Sequence, residues 1–521
     1  MATKTFSRPE INFPELYFGI VSPVGTDVSS SIQALSDSLT EKGYNVFHVK
    51  ISGIMNDMAS ALSFEALNEE SKLKRINSYI DFGNLLRKEL GNDILSAMAL
   101  ASIARLRLSL VKDSSKFERN AYIIDQLKTE DELRLLREVY GSAFFQISIY
   151  SARDIRVDNL SKIIAHDERR GDRNTFRDKA EALVVRDEDE SDVPHGQKVG
   201  KIFQYADLVL NADKIDEATK IERQVQRFVE LLFGSNRYSP NRLEYGMFVA
   251  FSAALRSLDL SRQVGAAIFR STGEIASLGT NEVPKAGGGT YWADDLFDAR
   301  EYKLKADSND ARKDELLNEV LEIALGKNFS LTETQKLEMD RSQFMDALEY
   351  GRIVHAEMCA ISDAARLGIS VAGGTIYCTT FPCHMCSKHI VATGITKVVF
   401  LEPYPKSLTA DLHSDSVKIE GSSRGTYEKY PSVEYVPFFG ITPRRYRDLF
   451  FRTKRKDKGK FIEYQTGNPK PIISMIAPWY AERETEVIDL TRASFTECLN
   501  SNKLAGAGPE LTLPDGVASI P

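Results

Sequence analysis

Apolar and polar positions follow two different periods along this chain, and the alternation between them predicts a succession of strands and helices. Near the start, LYFGIVSPVGTDVSSSIQALSDSLTEKGYNVFHVKIS reads as an apolar strand, a Gly/Pro turn, an amphipathic helix closed at Gly43 and a second strand. That order is a βαβ unit, whose strands lie parallel. Further strands follow at AYIIDQL (Ala121 to Leu127), FFQISIYS (Phe144 to Ser151) and FQYADLVLNAD (Phe203 to Asp213). Between them, TEDELRLLREVYG is a helix capped by Thr129 and stopped at Gly141. These elements predict a parallel-sheet domain over 1–220, followed by a helical connector over 221–240 that includes IERQVQRFVELLFG.

The pattern then resumes in a second domain over 241–460. LSRQVGAAIFR and EIASLGTNEVP form a strand pair across Thr272 and Gly273. HAEMCAISDAARLG is a helix, GTIYCTTF a strand, PCHMCSKHIVATG a helix and KVVFLEP a strand. Residues 285–350 interrupt this order with charged helical sequence such as DSNDARKDELLNEVLEIAL. A structureless loop of that length is uncommon, so the segment reads as a helical insertion over an entrance or at a subunit contact. Residues 461–521 are a C-terminal extension, and no repeat with a period of 20 to 50 residues runs through the chain.

Composition narrows the class. With 521 residues, 42% hydrophobic and 27% charged, the chain has the make-up of a globular protein of more than one domain. The most apolar stretch, ILSAMALASIARLRLSLV, contains Arg105 and Arg107 and reads as a packed helix rather than a membrane span. MATKTFSRPEIN has no apolar signal core, so a cytoplasmic location is expected. A net charge of −7 argues against a polyanion as main partner. The basic run KRKDKGK (Lys454 to Lys460) beside PRRYR (Pro443 to Arg447) is read as a solvated loop in preference to a phosphate or RNA contact. Arg169, Arg170 and Arg173 suit either a phosphate-contacting lid or a charged loop.

Of the five cysteines, four fall between Cys359 and Cys386, a clustering that points to a metal or to catalysis and not to a disulfide framework. In TTFPCHMCSKH, a helix beginning at Pro382 puts Cys383 and Cys386 on one side, with His384 rotated about 100° away. His389 lies a turn further on. Cys359 and Cys378 read as small buried core residues. His355, at the start of the HAE helix, completes a set of three ligands with Cys383 and Cys386, and Glu357 stands beside it. Three protein ligands leave one tetrahedral position for water, the arrangement of a catalytic Zn2+ site and not a closed structural one. The order His355, Glu357, Pro382, Cys383, Cys386 is the H-x-E…P-C-x-x-C pattern of zinc nucleobase deaminases. In that chemistry Glu357 takes a proton from water, passes it to cytosine N3 and delivers one to the departing amine.

Residues of about 240 to 450 resemble deoxycytidylate deaminases through SRQVGA (Ser261 to Ala266), the GTN…P of Gly279 to Pro284, HAE and TTFPCHMC. With EPYPKS (Glu402 to Ser407), LHSDS (Leu412 to Ser416) and FFGITPRRY (Phe438 to Tyr446), the two-domain chain is similar to the bacterial anti-phage dCTP deaminases. The resemblance implies an α/β protein in which an N-terminal P-loop kinase-like parallel sheet is fused to a three-layer α/β/α cytidine-deaminase-like domain with a mixed sheet. It implies conversion of dCTP and dCMP to their uracil counterparts, depletion of a phage's DNA precursor, a homo-oligomer, and in some such systems inhibition by a small RNA. It places Asn281 against the sugar or base, backbone groups of Thr380 and Phe381 against the cytosine edge, and Arg262 and Lys406 near phosphate.

A P-loop reads G-x-x-x-x-G-K-[ST]. Here Gly19 and Gly25 stand one residue too far apart and are followed by Thr26 and Asp27, with no lysine. The first domain is therefore expected to be a degenerate kinase-like module, binding a regulatory nucleotide around Gly19, Gly25 and Thr26, in preference to an active kinase. The competing functions are a deaminase editing RNA or DNA, which needs a basic channel with stacking aromatics, and a non-catalytic, zinc-stabilised nucleotide sensor.

Overall fold

The computed structural model describes residues 11–500 apart from 62–66, 68–69, 111–116, 169–175, 189, 191–194, 328, 341, 404–406, 453, 463–468 and 474–476. The chain divides into two units: 1–240 together with 439–521, and 241–438.

In the first unit the strands are β1 (Leu16–Val21), β2 (Asn45–Lys50), β3 (Asn120–Asp125), β4 (Phe144–Tyr150) and β5 (Leu208–Asn211). They lie parallel in the order 5-4-1-3-2. β1 is buried along its whole length because both faces of the sheet are covered. One face carries α1 (Ser29–Glu41), packed with the helix Ile221–Leu232 around Leu35, Leu39, Phe228 and Leu232. That second helix was expected as a connector; its stripe of Val225, Phe228, Val229 and Leu232 makes it part of the core. The other face is filled by α2 (Ile51–Ala61), α3 (Lys72–Leu90), α4 (Ile94–Leu110) and α5 (Glu130–Tyr140). α5 begins with a capping box in which Thr129 and Glu132 satisfy each other's backbone N–H groups. Beyond β4 come α6 (Arg153–Asp167), α7 (Arg177–Glu188) and the short α8 (Val199–Ile202), so part of the charged stretch expected as a loop, lid or helical excursion is helix. With α8 numbered, Ile221–Leu232 is α9.

The second unit contains α10 (Arg242–Ala254), β6 (Gly265–Phe269), β7 (Ile275–Thr280), α11 (Glu301–Leu304), α12 (Ser308–Leu325), α13 (Glu333–Asp340), α14 (Ala356–Arg366), β8 (Thr375–Thr380), α15 (His384–Ala392), β9 (Lys397–Glu402), α16 (Thr409–Leu412), β10 (Val417–Ile419) and β11 (Val433–Pro437). Its sheet has the order 10-11-9-8-6-7 and is mixed: β6 is antiparallel to β7 and β8, while β8, β9, β11 and β10 are parallel. Two glycines set how closely helices approach. A Cβ on Gly265 would lie 2.0 Å from the carbonyl oxygen of Ala250 in α10, and one on Gly279 would lie 2.0 Å from that of Ala356 in α14. Gly265 faces α10 while its neighbour Ala266 packs with Ala356 and Ala360 of α14, so the helices cover opposite faces.

After the second unit the chain returns to the first. β12 (Gly440–Ile441) pairs antiparallel with β5, α17 (Pro443–Phe450) follows, and α18 (Tyr480–Asn500) packs against α3, α4 and α5. The sequence boundary at residue 460 is thus displaced to 438, because the returning strand is only two residues long and leaves no periodic signal.

Candidate active site

α14 and α15 start side by side, and each places a metal-binding type of residue at its N-cap. His355 precedes Ala356 with extended backbone at φ −60° and ψ 154°, and Cys383 precedes His384 at φ −68° and ψ 164°. Pro382 therefore stands one residue before the cap and not inside the helix. The two cap side chains turn toward each other. His355 Nδ1 lies 3.3 Å from Cys383 Sγ and 3.4 Å from Cys386 Sγ. Among the described residues these three form the cluster of His, Cys, Asp or Glu groups able to hold an ion, with ligand atoms within 4.8 Å of one another. His384, His389, Cys359 and Cys378 stay outside it.

The three groups act strongly on one another's protonation. The hydrogen bond with Cys383 raises His355 to about 9 against the opposing effect of burial. Hydrogen bonds from Cys386 and His355 pull the Cys383 thiol down to about 4. Cys386, which gives up that thiolate role and is fully buried, is pushed well above the usual thiol range. Two sulfurs and an imidazole are a donor set that suits zinc. A tetrahedral zinc with bonds of about 2.3 Å to sulfur and about 2.1 Å to nitrogen sets those atoms roughly 3.6 Å apart, close to the 3.3 and 3.4 Å found here. Glu357, at the second position of α14, is 4% exposed and directs Oε2 to 3.5 Å from Cys386 Sγ, and burial raises its pKa.

His355, Glu357 and Cys383 open into a cavity of about 320 Å³ whose wall includes Asp259, Arg262, Asn281, Thr380 and Phe381. The insertion completes it with Glu301, Asp307, Asn309, Asp310, Lys313 and Asp346, so the added helices form part of its wall. Asn281 is brought to the cavity with both N–H groups spent, one on Asp259 at 2.7 Å and one on the Arg262 carbonyl at 2.8 Å. Its oxygen accepts from the Val264 N–H at 2.7 Å, so what the side chain can still offer is the second lone pair of that oxygen, an acceptor. Thr380 Oγ1 donates to Glu402, and the Phe381 N–H to the Glu402 carbonyl at 2.8 Å. Arg262 is half exposed and pairs with Glu402 at 3.2 Å. Lys406 lies outside the described residues, as do Arg169, Arg170 and Arg173. Asp259 and Glu402, the acids that orient these residues, were not singled out from the sequence; the carboxylate two positions before the SRQV run was the available signal.

In the first unit Gly25 and Thr26 line a separate cavity of about 760 Å³ together with Lys72, Arg75 and Lys128. Gly19 does not line it. It sits inside β1, where a Cβ would meet Leu127 and Phe144 at 2.6 Å, so its role is packing and the expectation that it binds nucleotide is corrected. The loop between β1 and α1 already holds an anion of the protein's own. Asp187 accepts the Val24 N–H at 2.7 Å and pairs with Lys128 at 2.8 Å. Asp27 receives the Ser29 N–H at 3.0 Å and so shapes the start of α1.

Comparison with known proteins places the second unit. The family described as "Cytidine and deoxycytidylate deaminase zinc-binding region" matches residues 240–402. The deoxycytidylate deaminase of Enterobacteria phage T2 is 48% identical over 54 residues, 10% of this chain and 29% of that protein. The deoxycytidylate deaminase of Mus musculus is 29% identical over 158 residues, 30% of this chain and 63% of that protein. The chain thus spans less than two thirds of either relative. Among solved structures, the dCMP deaminase from the cyanophage S-TIM5 in apo form is 18% identical and covers 38% of this chain and 99% of its own, with a TM-score of 0.21. No helix among the described residues is long and apolar enough to cross a membrane. Residues 240–402 carry the zinc-binding region of cytidine and deoxycytidylate deaminases, with His355, Cys383 and Cys386 as its zinc cluster.

Proposed function

We propose that this protein hydrolytically deaminates free deoxycytidine nucleotides, dCTP and dCMP, to dUTP or dUMP and ammonia. The observation that carries this reading is the convergence of His355, Cys383 and Cys386, ligand atoms within 4.8 Å, beside a buried carboxyl at the wall of a cavity. When bound, zinc supplies the Lewis acidity that makes water a nucleophile at neutral pH. The chain's own residues do the rest. Glu357 takes one proton from water and gives it to N3 as the oxygen bonds to C4, then takes the proton of the new C4 hydroxyl and gives it to the amine, so that the C4–N bond breaks, ammonia leaves and a carbonyl remains. Burial, which raises its pKa, brings the carboxyl closer to the range in which one group can both accept and donate a proton. Asn281 accepts a hydrogen bond from the sugar, the Thr380 to Phe381 backbone meets the cytosine edge, and Arg262 and Lys406 meet phosphate.

A free nucleotide is favoured over a nucleic-acid strand because, among the described residues, Phe381 is the one aromatic side chain and Arg262 and Lys313 the only lysine or arginine side chains on the wall. A strand needs a series of each. The wider role follows the motif resemblance: depletion of dCTP during phage replication by a cytoplasmic homo-oligomer, with a small RNA as inhibitor. The cavity at Gly25 and Thr26 is assigned to a regulatory nucleotide.

The test is release of ammonia and uracil nucleotide by the purified zinc protein given dCTP, dCMP, CTP and CMP separately, and a cytosine-containing oligonucleotide. Turnover of the deoxynucleotides, lost in Glu357→Ala, is the expected result. Turnover of the oligonucleotide alone refutes the substrate assignment, and activity surviving in Glu357→Ala refutes the proton shuttle.

A further inference from the structure

The first unit concentrates positive charge where ordinary helix design avoids it. Arg444 and Arg445 occupy the first turn of α17, after Pro443. A helix start carries partial positive charge, and acidic residues are the stabilising choice there. Pro443 has no N–H and the Arg445 N–H donates to the Thr442 carbonyl at 3.2 Å, while the Thr442 hydroxyl donates to the Ala206 carbonyl at 2.7 Å and accepts no capping hydrogen bond from its own helix. A third guanidinium, Arg137 in the last turn of α5, faces them. With Gly141, Ser142 and Phe144 the three arginines line a surface cavity of about 470 Å³.

The counter-charge is short. Asp207, 1% exposed, is the one buried carboxylate in contact. Its Oδ2 is taken by the Gln146 N–H at 2.7 Å, and its Oδ1 is shared by Arg444 at 3.3 Å and Arg445 at 3.2 Å. Asp448 reaches Arg445 at 3.3 Å from an exposed position, where water screens it. Arg137 has neutral partners, the Gln146 side chain at 2.8 Å and the Tyr205 carbonyl. Burial, followed by the like charges of Arg444 and Arg445 acting against Asp207, pulls its pKa down to about 10. Arg445 is committed to the fold through the Ser142 and Phe144 carbonyls. Arg444 is half exposed, and its ion pair is to a carboxylate Arg445 already holds.

We propose that this cavity is a binding site for the phosphate groups of a polyphosphate, either free or carried by a nucleotide. Three planar guanidiniums supply directed donors that match phosphate oxygens, and one buried carboxylate leaves charge for a multivalent anion. The bound anion joins α5, the turn before β4 and α17, the helix through which the chain re-enters the first unit. The assignment is independent of the deaminase reading.

The test is calorimetric titration of the full-length zinc protein with inorganic pyrophosphate at low salt, beside Arg444→Ala, Arg137→Gln and Arg447→Ala. Arg447 is on the same helix but does not line the cavity. A binding event weakened at least tenfold in Arg444→Ala and Arg137→Gln, and unchanged in Arg447→Ala, is expected. If Arg137→Gln fails to fold, Arg444→Ala, altered at a half-exposed side chain, decides. No binding by the wild-type protein at millimolar pyrophosphate, or equal binding by Arg444→Ala, overturns the proposal. A second titration with ATP identifies the source: tighter binding than pyrophosphate with the same losses supports a nucleotide, and no gain over pyrophosphate supports the free phosphate chain.

Discussion

Glu357 and Cys383 lie on the wall of one cavity, yet deleting them has different consequences because only one is a metal ligand. Glu357→Ala is expected to keep its zinc by elemental analysis while turnover falls by about 10²- to 10⁴-fold, the range for a lost general acid–base group. Cys383→Ala is expected to lose zinc and to melt at lower temperature, since metal affinity and folding are linked. At Asn281 the structure makes a sharper prediction than the sequence did. Asn281→Asp replaces a donor to Asp259, now 2.7 Å away, by a like charge, so the Asp259 to Val264 loop should loosen and KM should rise more than kcat falls. The ligands were legible because each belongs to a short motif at a helix start. The occupation of Asn281 was not, because its partner Asp259 stands 22 positions earlier and only the packing of β6 on β7 brings them together.

Among elements, α14 carries His355 and Glu357 to the cavity, and its depth is set by a glycine on the strand beneath. Gly279→Ala forces a methyl group to 2.0 Å from the Ala356 carbonyl, which the helix can meet only by moving away. The expected outcome is destabilisation on the order of 3 kcal/mol by denaturant titration, accompanied by weaker zinc retention. Gly279 was read in the sequence as part of a GTN motif; its physical role is close approach. Strands and helices of the second unit were legible from periodicity. The start of α15 was misplaced by two residues, because Pro382 fits both the first helical position and the residue before the cap. Asp187, which α7 brings to the β1–α1 loop, had no sequence signal, since it reaches Val24 across 163 positions.

For the molecule as a whole, the return of the chain after residue 438 supplies more than an edge strand. α18 brings Glu484 and Tyr480 into the core of the first unit, where Glu484 and Glu15 both face Arg107, at 2.6 and 2.8 Å, and the Tyr480 hydroxyl donates to Glu15 at 2.8 Å. Burial raises the Glu484 carboxyl above its ordinary 4.5. At this group the folded unit therefore keeps a proton that the unfolded chain has released. Its contribution to stability is full below about pH 4.5 and declines as pH rises through the raised value. Glu484→Gln should flatten that decline in denaturant titrations across the same range.

That return also orders events during synthesis. Residues 241–438 form one uninterrupted stretch, so the zinc cluster can be completed as soon as that stretch has left the ribosome. The first unit, begun earlier, waits for β12 and α18 before its sheet and its buried charges are satisfied. A nascent chain halted after residues 241–438 have emerged would already hold His355, Cys383 and Cys386 together, whereas the module begun before them would still be unfinished.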